Sequence, residues 1–273
     1  MSARGAYVDL DGTLLGRGAS LLHDGEGAVS IEGVRAVQAC LRAGVELVLM
    51  SGRRRAQVAE PARLLGQSSY IFEAGACVVL DGEEHWLTGD LLPGELTIAQ
   101  QIELTGAPSM LLERYRGRLE YHEPWHLDRE VSHLFRGLVD ASEVDSMLAQ
   151  EGLEGLRLID NGVVNRRSPA LAELPYVRCY HLVPASASKA GGLAFHRRAR
   201  GYAREETFAV GDSREDLACA AHVDVFWLVA NALERDPSMR EAIAAHPNAR
   251  VTEASHGAGV YEAVLSMLMQ GKG

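Results

Sequence analysis

The chain has 273 residues, enough for a large buried core and for two domains. Its 47% hydrophobic and 23% charged content is that of an ordinary soluble globular protein and argues against disorder or a coiled coil. With 27 Lys and Arg against 37 Asp and Glu the formal charge is −10, a field that does not favour nucleic acid or an anionic membrane.

The first strand-like run, Ala6 to Leu10, delivers two carboxylates, Asp9 and Asp11, onto the turn at Gly12. Two acids one residue apart at the end of a buried strand are costly unless a cation or a reaction needs them. A strand ending in a solvated Asp-Gly turn would look the same locally, so the rest of the chain has to decide. A helix is expected from Ile31 to Ala43, capped by Ser30 and stopped by Gly44, and then a buried strand from Val45 to Met50. An amphipathic segment follows from Arg54 to Leu65, with Pro61 expected to kink or restart it. Strands separated by helices imply right-handed crossovers and a parallel sheet covered on both faces.

The rhythm changes at the Asp81-Gly82 turn. Asp140-Ala-Ser-Glu143 resembles a capping box opening a helix to about Glu151, and Asn161-Gly162 reads as a hairpin turn joining Leu156–Asp160 to Val163–Arg167. Alternation resumes with a helix from Lys189 to Arg200, a strand from Thr207 to Val210, a helix from Glu215, a strand from Val223 to Val229 and a closing helix from Gly257 to Met269. The chain therefore reads as an α/β protein: a Rossmann-like, doubly wound parallel core from residues 1–81 and 187–273, with an inserted α+β domain over 82–186. The four cysteines, Cys40, Cys77, Cys179 and Cys219, lack Cys-x-x-Cys spacing and suit reduced, packed thiols. No run of about 20 apolar residues occurs, and the first strand begins too early for a signal peptide, so a cytoplasmic location is expected.

Three further groups fall at strand ends or helix starts, where open parallel sheets place their ligands. They are Ser51-Gly52-Arg53, Lys189 after Ser188, and Gly211-Asp-Ser-Arg-Glu-Asp216. Each is ordinary alone; together they fit phosphoryl transfer through an aspartyl-phosphate. Asp9 would attack phosphorus, while Asp11 would protonate the leaving alcohol and later deprotonate water. Asp9, Asp212 and the backbone carbonyl of Asp11 could hold Mg²⁺, with Asp216 orienting Lys189 or a metal-bound water. Ser51, nearby backbone N–H groups and Lys189 would hold the phosphoryl oxygens.

These motifs, Asp9-Leu-Asp-Gly-Thr13 among them, resemble the haloacid dehalogenase (HAD) superfamily. The insertion resembles the C2B caps of Cof-type sugar phosphatases and of their sucrose-phosphate and mannosyl-3-phosphoglycerate phosphatase relatives. The likeness extends to Ile71-Phe-Glu-Ala-Gly-Ala76, Asn231-Ala232, and Val251 to Ala254 with Gly257 to Val260. It implies Mg²⁺-dependent hydrolysis of a small phosphorylated metabolite, with Thr13, Ser51, Gly52, Arg53 and Lys189 on the phosphate and Asp9, Asp11, Asp212 and Asp216 around the metal. A monomer or homodimer is expected, and the net charge of −10 leads us to expect no nucleic-acid or membrane partner. Two departures stand out: Glu215 where such proteins carry Asn, which adds negative charge near the metal, and Ala74 where Asn is frequent. In the insertion, Arg166 and Arg167 could clamp a substrate anion, and His122, within Tyr121-His-Glu-Pro-Trp-His126, could face a sugar. Pro124 argues against a helical His-x-x-x-His metal site there. Arg54 and Arg55 are expected to be solvated. A phosphomutase using the same intermediate, or a Mg²⁺-binding phospho-acceptor without turnover, are the alternatives.

Overall fold

A computed structural model describes residues 2–164 and 168–270. The apolar runs become β1 (Gly5–Asp9), β2 (Glu46–Met50), β3 (Tyr70–Phe72), β4 (Cys77–Leu80) and β5 (Glu83–Trp86). The middle of the chain supplies β6 (Leu119–Tyr121), β7 (His133–Gly137), β8 (Leu156–Val164) and β9 (Val177–Pro184). The last third supplies β10 (Thr207–Gly211), β11 (Val225–Leu228) and β12 (Ala249–Val251). Among the described residues these strands form an eight-stranded sheet, β12-β11-β10-β1-β2-β3-β4-β5, and a four-stranded sheet, β6-β7-β9-β8. The large sheet is parallel from β12 to β3 and antiparallel across β4 and β5, while the small one is antiparallel throughout.

In the core β1 lies between β2 and β10, so the chain leaves it toward one side early and returns on the other side late. The carboxyl ends of β1 and β10 thus flank a switch point, the place where such sheets open a crevice. Side chains alternate along β1. Ala6 and Val8 join the apolar layer that includes Val37 and Cys40 of α1 (Glu32–Ala43) and Val260 and Val264 of α10 (His256–Gln270); Tyr7 faces the opposite layer with Leu193 of α6 (Lys189–Ala199). The remaining core helices are α2 (Ala56–Leu64), α7 (Arg214–Leu217), α8 (Asn231–Arg235) and α9 (Met239–Ala244). In the small domain, α3 (Ile98–Leu104), α4 (Ala107–Arg114) and α5 (Ala141–Gln150) bury Ile98, Leu111 and Leu148 against Phe135, Tyr180 and Leu182 of the four-stranded sheet.

Gly44 ends α1 in the left-handed conformation, its N–H donating to Cys40 and Leu41 carbonyls. Helix α2 starts at Ala56 and runs through Pro61 without restarting, because a proline this near the end of a short helix deletes a single backbone bond. Asp140 caps α5 by accepting from the Glu143 N–H, but the reciprocal half of a capping box is not made: the Glu143 carboxylate accepts from the Tyr115 hydroxyl instead. Asp81 and Gly82, both at positive φ, do close the β4–β5 hairpin. That hairpin extends the large sheet, so a boundary drawn at residue 82 falls inside a core element. Asn161-Gly162 is a correction: it is not a turn. Strand β8 continues through it to Val164 along β9, with a register shift between Asp160 and Val163 and the Gly162 N–H donating to Asp160 Oδ1 at 2.9 Å. A β-bulge and a tight turn both favour Asx-Gly chemistry, and only the partner strand distinguishes them. Arg166 and Arg167 lie outside the described residues.

Glu46, at the start of β2, accepts from Arg200 Nη2 at 2.7 Å and from the Tyr202 hydroxyl at 2.7 Å. Burial works against its charge, but His196, Arg200 and Tyr202 prevail and hold its carboxyl at about 2. A carboxyl depressed in the folded state stabilises above its unfolded value and loses that contribution as pH falls through the folded one. The stability advantage of wild type over Glu46→Gln in urea titrations should therefore be full at pH values above about 4.5 and vanish toward about 2; an advantage unchanged by acid would show that Glu46 carries no net pairing energy. Among the described residues no helix is long and apolar enough to cross a membrane, and all four cysteines are free and buried.

Candidate active site

Strand β1 ends at Asp9, which is 4% exposed, and the chain then turns sharply through Asp11 and Gly12. Gly12 is at φ +80, and a methyl placed on it would sit 2.2 Å from Asp212 Oδ2, so glycine is what lets the β1 and β10 loops meet. Asn231, at the start of α8, fixes this turn by donating from Nδ2 to the Gly12 carbonyl at 2.8 Å, while its Oδ1 accepts from the His256 N–H at 2.8 Å. Lys189 is delivered from the far side by α6, capped by Ser188. It is 1% exposed, and its Nζ donates to Asp9 Oδ1 at 2.6 Å and Asp216 Oδ1 at 2.7 Å. The other oxygen of Asp216 accepts from the Asp212 and Ser213 N–H groups and from the Ser213 hydroxyl at 2.6 Å, which closes a capping box on α7. Asp216 therefore both caps a helix and orients Lys189.

Oxygens of Asp9, Asp212 and Asp216 lie within 4.8 Å of one another. Burial, with Asp216 and Asp212 alongside, raises the Asp9 carboxyl against the pull of Lys189. Burial and then Asp216 push Asp212 up to about 7, although Arg235 Nη1 donates to it at 2.7 Å. Burial opposes the charge of Lys189, but Asp216 and Asp9 outweigh it and keep the ammonium protonated. With Asp11, four carboxylates share this corner with the three cations Lys189, Arg53 and Arg235, and every donor atom is a hard oxygen. That set fits a small divalent cation.

The other expected residues divide. Ser51 is 1% exposed at the end of β2, and its Oγ accepts from the Arg53 N–H at 3.2 Å. Arg53 clamps Asp11 through Nε at 2.6 Å and Nη2 at 2.5 Å. Thr13 is fully buried beneath the loop and does not line the cavity. Glu215 turns away from the three acids: its Oε1 accepts from the Lys189 N–H at 3.1 Å and pairs with Arg157 of β8 at 3.4 Å. The extra charge thus serves the start of α6. Ala74 sits at φ +57 between Glu73 and Gly75, both also at positive φ, a conformation that Asn tolerates better than Ala. Gly75 packs against α6 so closely that a methyl on it would meet the Ser188 carbonyl at 1.9 Å.

A cavity of about 720 Å³ opens between these strand ends and the small domain, lined on the core side by Asp9, Asp11, Ser51, Arg53 and Lys189 and on the other by His122, Trp125, Arg129, Asn161 and His181. Sequence reasoning missed how the two sides are fastened. Glu73, fully buried, accepts from the N–H groups of Glu130 at 2.7 Å and Ser132 at 2.6 Å. Arg129 Nη1 donates to the Gly52 carbonyl at 3.0 Å. Arg54 and Arg55, expected to be solvated, pair instead with Asp128 at 2.9 Å and Glu130 at 2.5 Å. The only local signal was the likeness of the Glu73 segment to a family pattern, which says nothing of its partners. Within Tyr121–His126, His122 lines the cavity but His126 stacks on Tyr121 at 4.8 Å, so the two rings are used separately.

No protein-family profile matches the chain. Its architecture, small domain included, is that of haloacid dehalogenase-like hydrolases. It superposes on the sucrose-phosphatase of Synechocystis sp., solved with sucrose and phosphate, with a TM-score of 0.65, 14% identity and 98% of both chains covered. A haloacid dehalogenase-like hydrolase of Bacteroides thetaiotaomicron gives 0.62 at 17% identity, over 97% of this chain and 100% of that one. In sequence the chain is 26% identical over 262 residues, 96% of its length and 97% of the relative's, to a phosphoglycolate phosphatase of Methanothermobacter thermautotrophicus.

Proposed function

We propose that the chain is a Mg²⁺-dependent phosphatase that hydrolyses a small phosphate monoester, a sugar phosphate or phosphoglycerate-type metabolite, through an aspartyl-phosphate on Asp9. The observation that carries this is the buried Asp9 carboxylate that lines the cavity, held by Lys189 at 2.6 Å beside Asp212 and Asp216. One Asp9 oxygen attacks phosphorus as the bond to the leaving oxygen breaks, and Asp11, turning from Arg53, gives its proton to that oxygen. Asp11 then takes a proton from water, which attacks the phosphorus and frees Asp9 and inorganic phosphate. Lys189 and the Ser51 hydroxyl hold phosphoryl oxygens throughout. Mg²⁺ bound by Asp9, Asp212 and the Asp11 carbonyl would neutralise the gathered anions and polarise the phosphoryl group. The protein partner is the metabolite alone, the location cytoplasmic, and the assembly a monomer or homodimer.

The likeness to named phosphatases supports this reading, and phosphate release tests it. A panel of sugar phosphates, phosphoglycolate, mannosyl-3-phosphoglycerate and phenyl phosphate should yield inorganic phosphate with Mg²⁺ and none with EDTA. An isomeric sugar phosphate in place of phosphate would establish a mutase, and no product from any compound would overturn the proposal. Mg²⁺ affinity supplies a second check. Asp212 must be ionised to ligate, and its carboxyl stands at about 7 in the metal-free protein. Calorimetric affinity should therefore weaken by up to roughly tenfold per pH unit below about 7, and a flat profile would remove Asp212 from the metal site.

A further inference from the structure

His181 lies in β9, the strand of the small sheet between β7 and β8, and is 1% exposed. Its Nδ1 is 3.2 Å from the Ser132 hydroxyl oxygen, which has three neighbours in all. Glu73 Oε2 is 2.9 Å away, and Arg129 Nη1 donates to it from 2.9 Å. A hydroxyl has one hydrogen and two lone pairs. The Glu73 carboxylate can only accept, so the hydrogen goes to Glu73. The guanidinium can only donate and takes one lone pair, which leaves the other for His181. Giving the hydrogen to His181 would set a carboxylate oxygen against a serine lone pair in a buried site, an unsatisfied and repulsive arrangement. His181 is therefore the Nδ1–H tautomer, and Nε2 is left with a bare lone pair.

That lone pair has a definite address. A methyl built on Gly52 would lie 2.7 Å from His181 Nε2 and 3.4 Å from Asn161 Nδ2, and all three residues line the cavity. Among the described residues the ring's hydrogen bond is made through Nδ1, which leaves Nε2 to whatever enters the cavity that His181 lines. Burial, with Arg129, Lys189 and His122 nearby, lowers the His181 pKa and keeps the ring neutral. Gly52 joins Ser51 to Arg53, which holds Asp11, and Asp11, Gly52 and His181 line the same cavity, so a leaving group bound there shares its space with this nitrogen.

The structure assigns His181 as a specificity-determining residue that accepts a hydrogen bond from a hydroxyl of the leaving group. This rests on the phosphatase reading and narrows its substrates to phosphomonoesters of hydroxylated alcohols. A carboxylate at the same point would meet lone pair with lone pair. Positioning of the ring belongs to Ser132 and Glu73, which act through His181 without touching substrate.

The test compares wild type with His181→Leu, His181→Gln and Ser132→Ala on β-glycerophosphate, phosphoglycolate and phenyl phosphate. His181→Leu should lower kcat/KM for β-glycerophosphate by about 10–100-fold, mainly through KM, and change the other two by less than about twofold. His181→Gln, which can offer its carbonyl oxygen, should recover part of the loss, and Ser132→Ala, which frees the tautomer, should share the selectivity defect. Nitrogen NMR of the wild-type ring, read without turnover, should show Nδ1 protonated and Nε2 bare. Equal losses on all three compounds, no loss on any, or the opposite tautomer would overturn the assignment. Wild type that hydrolyses other phosphomonoesters but not β-glycerophosphate would overturn this assignment alone, and wild type that hydrolyses no compound of the wider panel would overturn the phosphatase reading with it.

Discussion

Asp9→Asn is expected to reduce turnover by on the order of 10⁴-fold or more while leaving the protein folded. Asn fills the same volume at the end of β1, and its amide oxygen can still accept from Lys189, but it is a poor nucleophile toward phosphorus. The stability side of the prediction is as specific as the kinetic one. The Asp9 carboxyl is raised by burial and by Asp216 and Asp212, so its ionisation opposes folding as pH rises through its folded value. Without metal, Asp9→Asn should melt at the same temperature as wild type or higher at neutral pH, the usual mark of an active site that trades stability for reactivity. Activity that survives the change would place the nucleophile elsewhere, and a variant that unfolds would make Asp9 a structural residue.

Lys189→Met has the second largest expected effect, and it falls on stability as well as activity. Among the described residues Lys189 is the only cation that touches both Asp9 and Asp216. Its removal leaves two buried carboxylates facing each other, and breaking a buried pair from one side costs about 3–5 kcal/mol. Lys189 keeps its charge in the folded state up to a pH above its ordinary value, so its own contribution is complete at any pH below about 10.5. The pH dependence of the deficit must therefore come from the abandoned carboxylates, which relieve the strain when they take up protons. Urea unfolding without metal should show a deficit that is large at about pH 8 and smaller at about pH 5. A deficit equal at both would mean that packing of the lysine stem, and not its charge, is what the site needs.

Both predictions concern residues that were legible before any coordinates. Asp9, Ser51, Lys189 and Asp212 each follow a short apolar run or open a helix, and local periodicity is enough to place such positions at the carboxyl edge of a parallel sheet. The same local reading failed wherever the deciding partner was far away in sequence. Asp81-Gly82 and Asn161-Gly162 carry the same turn chemistry. The first closes a hairpin because both flanks pair with each other, and the second is a bulge because both flanks pair with β9. Arg54 and Arg55 read as a solvated helix start, yet their partners Asp128 and Glu130 lie more than seventy residues on. The small-domain half of the cavity was hidden for that reason. Only the folded chain brings Glu73, Ser132 and His181 into one line. Glu215, by contrast, was visible as an anomaly in sequence, and its explanation needed Arg157 and the backbone of Lys189. Short late elements, α8, α9 and the edge strand β12, were missed because three to six residues carry too little periodicity to be seen.

The most direct trial of an aspartyl-phosphate on Asp9 is to quench the protein in acid during turnover of its best substrate, digest it and weigh the peptides. A phosphoryl group on the peptide that carries Asp9, absent from EDTA-treated protein and from Asp9→Asn, is the expected result. Steady phosphate release with no phosphorylated peptide, or with the phosphoryl group on any other residue, would contradict it.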